Sequence, residues 1–177
     1  DGRGIPPDEL RLAVERHATS KLVSAEDLFH LHTLGFRGEA LASVGSVSRL
    51  TMTSRTPEQP GGSRLSMEGG MLSTVQEVGA PVGTVVRVED LFYNVPARLK
   101  FLKADTTERR AIDNLVTRYA LAYPQVRFHL IQEGRPALQT SGNGDRRTVL
   151  AALYGADVAR QMLEVLSGEA LLTNMAK

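Results

Sequence analysis

Alternating apolar and polar positions mark a run of β-strands in the middle of the chain. The alternation is strict in SRLTMTSRT (48–56), and it continues in SRLSMEGGMLSTVQEV (63–78), where a Gly-Gly pair predicts a hairpin turn. GTVVRVEDLF (83–92) predicts a further strand that is rich in valine. QVRFHLIQEGRPALQT (125–140) predicts a second hairpin, which turns at its Glu-Gly pair.

Apolar residues at helical spacing flank these strands. PDELRLAVERHA (7–18) predicts a helix that continues to Ala18, and TERRAIDNLVTRYALAYP (107–124) predicts an amphipathic helix. The predicted apolar stripe of the second helix is Ile112, Leu115, Val116, Tyr119 and Ala120. Shorter helices are predicted in GEALASVGSV, in NVPARLKFL and after the linker candidate SGNGD. Helices, then strands, then helices favour an α+β sandwich.

Composition narrows the range of functions. The 177 residues carry a formal net charge of +1, so contact with nucleic acid would need a local basic patch. Cysteine is absent, which excludes disulfides and thiolate chemistry and suits a cytosolic protein. The sequence has no apolar run long enough to cross a bilayer and no signal peptide. Because it opens with DGRGIPPDEL and stops at LLTNMAK, we expect an excerpt of a longer protein.

GFRGEAL (35–41) is a candidate phosphate-binding segment. Gly35 and Gly38 permit positive φ, so successive amides can point into one concavity, and a helix that begins near Glu39 would add further N–H groups. This combination suits a diphosphate or triphosphate. A plain helix-capping loop fits the same residues equally well. Arg37 could contact phosphate, DNA or solvent.

Three other segments allow both a functional and an ordinary interpretation. Gly2 and Gly4 in DGRGI either form a tight turn or let a flat ring approach the backbone. In RHATSK, Lys21 could neutralise a phosphate, or the segment could simply end a helix that contains His17. His30 and His32 have no supporting ligand pattern, so we expect no metal there.

A basic run follows the turn at NVPARLKFL. Its members could line a DNA face or form a solvated helix surface interspersed with acids: Arg98, Lys100, Lys103, Arg109 and Arg110.

Taken together, DGRGIP, RHATSK, LGFRGEALASV and GT-V-V-DLFYN-PAR-KFL resemble the DNA mismatch repair protein MutL family, over most of residues 1–103. The resemblance implies the two-layer α/β sandwich of the gyrase/histidine-kinase-type ATPase (Bergerat) fold, an α+β fold. A partial ATPase domain would cover residues 1–142, and a second, ribosomal-S5-like transducer domain would begin within residues 143–177. No phosphate-binding P-loop motif occurs, which independently disfavours that alternative.

The resemblance also implies roles for individual residues. Gly2, Gly4 and Thr84 would lie beside the adenine of ATP. Thr19, Ser20 and Lys21 would lie near its phosphates. A lid whose amides hold the phosphates, called the lid segment below, would consist of Gly35, Phe36, Arg37, Gly38, Glu39, Ala40 and Leu41.

The same resemblance places parts of the machinery outside this chain. The adenine-reading Asp, the catalytic Glu and the Asn that holds Mg²⁺ would precede residue 1, so no catalytic or metal residue is expected here. Leu99 stands where a basic residue is usual. We therefore expect little or no ATPase activity and weak nucleotide binding from these 177 residues alone.

The implied partners belong to mismatch repair. ATP binding would order the lid and drive formation of a homodimer or a family heterodimer. The further partners would be DNA, a mismatch-recognition protein and downstream repair factors. The protein would lie in the cytoplasm at the bacterial nucleoid, or in the nucleus of a eukaryote. An alternative is a non-catalytic DNA-binding or dimerisation module that uses Arg98, Lys100 and Lys103. A topoisomerase subunit of the same ATPase group is disfavoured by GFRGEALAS and LFYNVPAR.

Overall fold

The computed structural model describes residues 2–22, 26–30, 35 and 37–163. The chain divides into two compact units, Asp1–Leu102 and Lys103–Lys177, called the N-terminal and C-terminal units below. The expected domain boundary after residue 142 stays a prediction. None of the helices in the described part of the chain combines the length and apolar character that a membrane span requires.

The N-terminal unit is built on a five-stranded antiparallel sheet. Its strands are β1 (Arg49–Arg55), β2 (Gly62–Glu68), β3 (Met71–Leu72), β4 (Gln76–Val78) and β5 (Gly83–Glu89). Their order is β3-β2-β1-β5, and β4 also pairs with β2. In the β1–β2 pair Leu50 lies opposite Met67 and Met52 lies opposite Leu65, so the predicted alternation places apolar side chains on one face.

Two short helices, α1 (Leu10–Ala13) and α2 (Ala40–Gly45), lie against this apolar face. The unit also contains a 3-10 turn (Glu26–Phe29) and the short helix α3 (Pro96–Leu99). Leu10 and Val14 pack against the buried residues of β1 and β2, and Leu41 and Val44 join the same core. Helices on one face of a sheet make the two-layer α+β arrangement that the sequence predicted.

Helix α1 is shorter than its apolar spacing predicts. It ends at Ala13, and Val14 as the C-cap has φ −105° and ψ 2°. His17 then adopts a φ of +67°, and its N–H bonds to the carbonyl of Gly38 instead of continuing the helix. A tertiary contact therefore overrides the local helical preference.

The C-terminal unit packs helices against a hairpin. Its elements are α4 (Asp105–Ala122), β6 (His129–Gln132), β7 (Arg135–Gln139), α5 (Arg146–Tyr154) and α6 (Ala156–Gln161). Ala120, Leu138 and Val149 form its buried core.

The predicted apolar stripe of α4 is only partly correct. Val116 packs against the core, but Ile112 and Leu115 are 46% and 54% exposed. The side of α4 that meets the hairpin includes a polar residue, Asp113, which accepts a hydrogen bond from Gln132 at 2.9 Å. Periodicity identifies the helix, but it does not tell which apolar residues a neighbouring element covers.

The predicted linker SGNGD contains the cap of α5. The carboxylate of Asp145 accepts hydrogen bonds from Oγ1 of Thr148 at 2.7 Å and from the N–H of Arg147 at 2.9 Å. These two bonds lower the pKa of Asp145. The segment is thus a helix start as well as a connection.

Two leucines on α1 test the assignment of the core. Leu10 is 0% exposed and Leu12 is 53% exposed, although both lie on the same short helix. We expect Leu10→Ala to lower the free energy of unfolding by about 2–5 kcal/mol, because it leaves a cavity under the sheet. Leu12→Ala should lower it by less than about 0.5 kcal/mol. Urea unfolding followed by circular dichroism measures both, and equal losses would contradict this core.

Candidate functional site

The segment RHATSK (16–21), called the RHATSK loop below, lies directly against the lid segment. Gly38 has a φ of +63°, and a Cβ atom there would lie 2.2 Å from the carbonyl oxygen of Ala18. Because real Cβ atoms do not approach an oxygen so closely, only glycine fits without a backbone shift. The N–H of His17 donates to the carbonyl of Gly38 at 3.0 Å. Backbone contacts therefore bring together two loops that are distant in sequence.

The side chain of His17 joins the same two segments. Its Nδ1 lies 3.4 Å from Oε1 of Glu39, and the two side chains are 77% and 49% exposed. At such exposure the pair contributes at most about 1 kcal/mol to stability. With Arg16 and Ser43 these residues line a shallow cavity of about 180 Å³. Sequence reasoning missed His17, since its helical context gave no signal of a contact with the lid segment.

Lys21 reaches the first glycine of the lid segment. Its Nζ lies 3.5 Å from the position that a Cβ atom would occupy on Gly35, which has a φ of +69°. The N–H of Lys21 donates to Oγ1 of Thr19 at 3.1 Å, a local turn around Ser20. Ser20 and Lys21 are exposed and Thr19 is partly buried. An ammonium group therefore stands next to exposed, glycine-containing backbone.

The rest of the lid segment is accessible. Arg37, Glu39 and Ala40 are exposed, and Gly38 and Leu41 are partly buried. Helix α2 begins at Ala40 and contains six residues. Phe36 lies outside the described residues. The described residues of the segment are thus partly or largely exposed and lead into a short helix, and they do not form a buried corner.

Residues 2–5, called the glycine loop below, rest on the end of β1. Gly4 has a φ of +77°, and a Cβ atom there would lie 2.1 Å from the carbonyl oxygen of Arg55. At Gly2 a Cβ atom would meet no atom of the described residues within 4 Å, and its φ of +98° keeps the position glycine-like. Gly4 therefore serves close backbone packing, while the backbone at Gly2 is open to a ligand.

Ser54 links the glycine loop to Thr84. Its Oγ accepts from the N–H of Ile5 at 2.7 Å, donates to the carbonyl of Gly83 at 3.0 Å and lies 2.8 Å from Oγ1 of Thr84. A hydroxyl has one proton, so when Ser54 donates to Gly83, Thr84 donates to Ser54. In that arrangement an oxygen lone pair of Thr84 can accept a hydrogen bond from a ligand. Sequence reasoning missed Ser54, although the alternation in β1 places it on the buried face with Leu50.

The three predicted DNA-contacting residues are all exposed and belong to two different units. Arg98 lies in α3 and Lys100 is its C-cap, and both are exposed. The guanidinium carbon of Arg98 lies 5.9 Å from the centroid of the Phe92 ring. Lys103 is exposed too, but it belongs to the C-terminal unit, where its N–H bonds to Glu108 at 2.9 Å.

The donors present do not fit a magnesium ion. Within residues 2–22, 26–30, 35 and 37–163, no group of three or more His, Cys, Asp or Glu side chains could hold a metal. Mg²⁺ favours several oxygen ligands in a near-octahedral arrangement. The candidate site offers instead glycine backbone, hydroxyls and one ammonium group, which is the chemistry of anion and base recognition.

Curated proteins with similar sequences are DNA mismatch repair proteins called MutL. Those of Streptococcus equi subsp. zooepidemicus (strain MGCS10565) and Streptococcus pyogenes serotype M1 are 46% and 45% identical to this chain over 169 residues. Each alignment covers 96% of this chain and 26% of the relative, so the chain spans about a quarter of its relatives' length. No protein-family model matches the chain.

Solved structures agree with the sequence relatives. The Aquifex aeolicus MutL ATPase domain complexed with ADP is 33% identical, with a TM-score of 0.67 over 86% of this chain and 53% of that chain. The N-terminal domain of a DNA repair protein gives a TM-score of 0.71 at 27% identity, over 93% of this chain and 48% of that one.

The fold is therefore the α+β fold of MutL-type ATPase domains. With the identities given above, the chain belongs to the MutL family.

A pair of glycines tests the contact between the two loops. Gly38 and Gly134 have φ values of +63° and +72°, but a Cβ atom at Gly134 would meet nothing within 4 Å. Both alanine variants carry the cost of positive φ, and only Gly38→Ala collides with Ala18. We expect Gly38→Ala to speed hydrogen exchange of the His17 amide by about tenfold or more, since its bond is broken. An unchanged rate in Gly38→Ala, or an equal change in Gly134→Ala, would refute the contact.

Proposed function

We propose that this chain carries the phosphate-binding and lid portion of the nucleotide site of a mismatch repair ATPase. The observation that carries the proposal is the contact between the RHATSK loop and the lid segment, with the ammonium of Lys21 beside Gly35. ADP in the related Aquifex aeolicus ATPase domain supports a nucleotide as the ligand.

The phosphates would lie between Lys21 and the lid segment. Lysine supplies a compact, mobile positive charge, and the positive φ values of Gly35 and Gly38 take the backbone at these two glycines out of the helical conformation. The hydroxyls of Thr19 and Ser20 would add neutral hydrogen bonds. The side chain of Lys21 would thus neutralise phosphate charge, and the backbone of the lid segment would fit the shape of the phosphates.

The base would lie near the glycine loop and Thr84. The exposed backbone at Gly2 allows a flat ring to approach, and the hydroxyl of Thr84 can act as an acceptor when it donates its proton to Ser54. An acceptor at this point favours the amino group of adenine over the carbonyl oxygen of guanine.

Binding and orientation of the nucleotide are the roles of the described residues. Water attack on the γ-phosphate needs a carboxylate that orients the water, and Mg²⁺ offsets phosphate charge when it is bound. No described residue is assigned to either role. In the whole protein, ATP would order the lid segment, provided that the nucleotide binds the ordered state more tightly. The ordered lid would favour a homodimer or family heterodimer, which would act with DNA, a mismatch-recognition protein and downstream repair factors.

Calorimetry with this 177-residue chain tests the nucleotide site. We expect weak binding of ADP and ATP that is insensitive to magnesium. Lys21→Ala should weaken binding about tenfold, because a charge-assisted contact is lost. Lys100→Ala is the matched control, since it removes the same charge from the end of α3 and should leave the affinity unchanged. Equal affinities for the two variants, or a magnesium-dependent rise to micromolar affinity, would contradict the proposal.

A second candidate function is a DNA-binding or dimerisation module without catalysis. It is favoured by the exposure of Arg98 and Lys100 at α3. If the module is correct, DNA binding weakens steeply with salt and ignores nucleotide, and Lys100→Gln lowers the salt slope by about 1. If the nucleotide-driven function is correct, nucleotide changes the DNA affinity. Titrations of labelled duplex at several salt concentrations, with and without ATP, separate the two.

A further inference from the structure

Two loops hold the C-terminal end of α2 and the residues that connect it to β1. Helix ends normally leave their last carbonyls without a partner in the helix. Here the carbonyls of the last helical residue, of its C-cap and of the two residues before β1 each accept a hydrogen bond from these loops. The bonds are Gly45 from the Gly70 N–H (3.1 Å), Ser46 from Nδ2 of Asn94 (3.0 Å), Val47 from the Phe92 N–H (2.6 Å) and Ser48 from the Gly69 N–H (3.1 Å). We call this arrangement the carbonyl clamp.

Half of the carbonyl clamp comes from residues 90–95, the β5–α3 loop. Asp90 and Phe92 have φ values of +50° and +66°, which non-glycine residues adopt only where other contacts hold them. Arg49 supplies such contacts, since its guanidinium bonds to Asp90 at 2.9 Å and to Glu68 at 2.8 Å. It also lies 5.1 Å from the centroid of the Tyr93 ring. The loop is thus fixed to the sheet in the shape that serves the clamp.

Helix α2 is a short and rigid connection between the clamp and the lid segment. Six residues span about 9 Å. Ala42 is 5% exposed, and a Cβ atom at Gly45 would lie 2.2 Å from Sδ of Met67, so the helix sits close on β2. A helix packed this tightly shifts as a unit and does not bend, because packed interiors yield little. Movement at its first residue, Ala40, must therefore change hydrogen bonds of the clamp.

We propose that Asn94 is a positioning residue that couples residues 37–41 of the lid segment to the β5–α3 loop through α2. Only the part of the inference that involves nucleotide rests on the proposed function. When a phosphate group fixes the lid segment, α2 is held in one position and the hydrogen bonds of the carbonyl clamp open less often. The clamp in turn orders the loop that leads into α3, where Arg98 and Lys100 lie. The nucleotide state is thereby passed to a surface that carries basic residues.

Hydrogen exchange without nucleotide tests the coupling directly. Asn94→Ala removes one donor of the clamp, and we expect exchange of the His17 amide, at the other end of α2, to speed up about fivefold. The amide of Leu65 in β2 reports global opening and should not change. Asn143→Ala is the matched control, since it removes a side-chain amide bonded to Thr148 in the C-terminal unit. An unchanged His17 rate in Asn94→Ala overturns the proposal, as does an equal change at Leu65.

A second arm adds ADP to the same variants. In the unaltered chain ADP should slow exchange both in the lid segment and at the Phe92 amide. In Asn94→Ala the lid segment should still respond, while the response at Phe92 is lost. A retained response at Phe92 overturns the coupling. If ADP changes nothing in the unaltered chain, the proposed function fails, and the coupling is still decided by the nucleotide-free arm.

Discussion

Backbone packed on backbone, with no side chain between, holds the candidate site together. Gly38 meets the carbonyl of Ala18, and Gly4 meets the carbonyl of Arg55, each closer than any Cβ atom would permit. Such contacts leave no room for adjustment by rotamer changes, so they set the loop positions more strictly than side-chain packing could. The placement of Lys21 beside the lid segment depends on the first of these contacts.

The alternation of side chains along β1 both builds the core and positions a residue of the candidate site. In β1 the inward positions supply Leu50 and Met52 to the core, and the next inward position is Ser54. A buried hydroxyl requires partners, and it finds them in the glycine loop and at the start of β5. The same alternation that builds the core therefore places Ser54 where it holds the glycine loop beside Thr84. The core and the candidate site thus depend on one sequence pattern.

The sequence predicts the strands, both hairpins and the long helix well, because each depends on local period and turn chemistry. The motifs also identify the family that the relatives confirm. What local patterns miss depends on long-range contacts. Helix α1 ends early because His17 bonds to Gly38, and Ile112 is exposed because the hairpin contacts another side of α4. The link between Ser54 and Thr84 needed the strand register, which no single segment contains.

The central claim is that backbone amides of the lid segment receive the phosphates of a nucleotide. The most direct measurement is an ADP titration of isotope-labelled chain, followed by the backbone amide resonances in NMR spectra. The account predicts the largest shift changes at Gly35, Arg37 and Gly38, with smaller ones at Lys21 and Thr84. Changes confined to α3 or to the C-terminal unit, with the lid amides unmoved at saturating ADP, would contradict it.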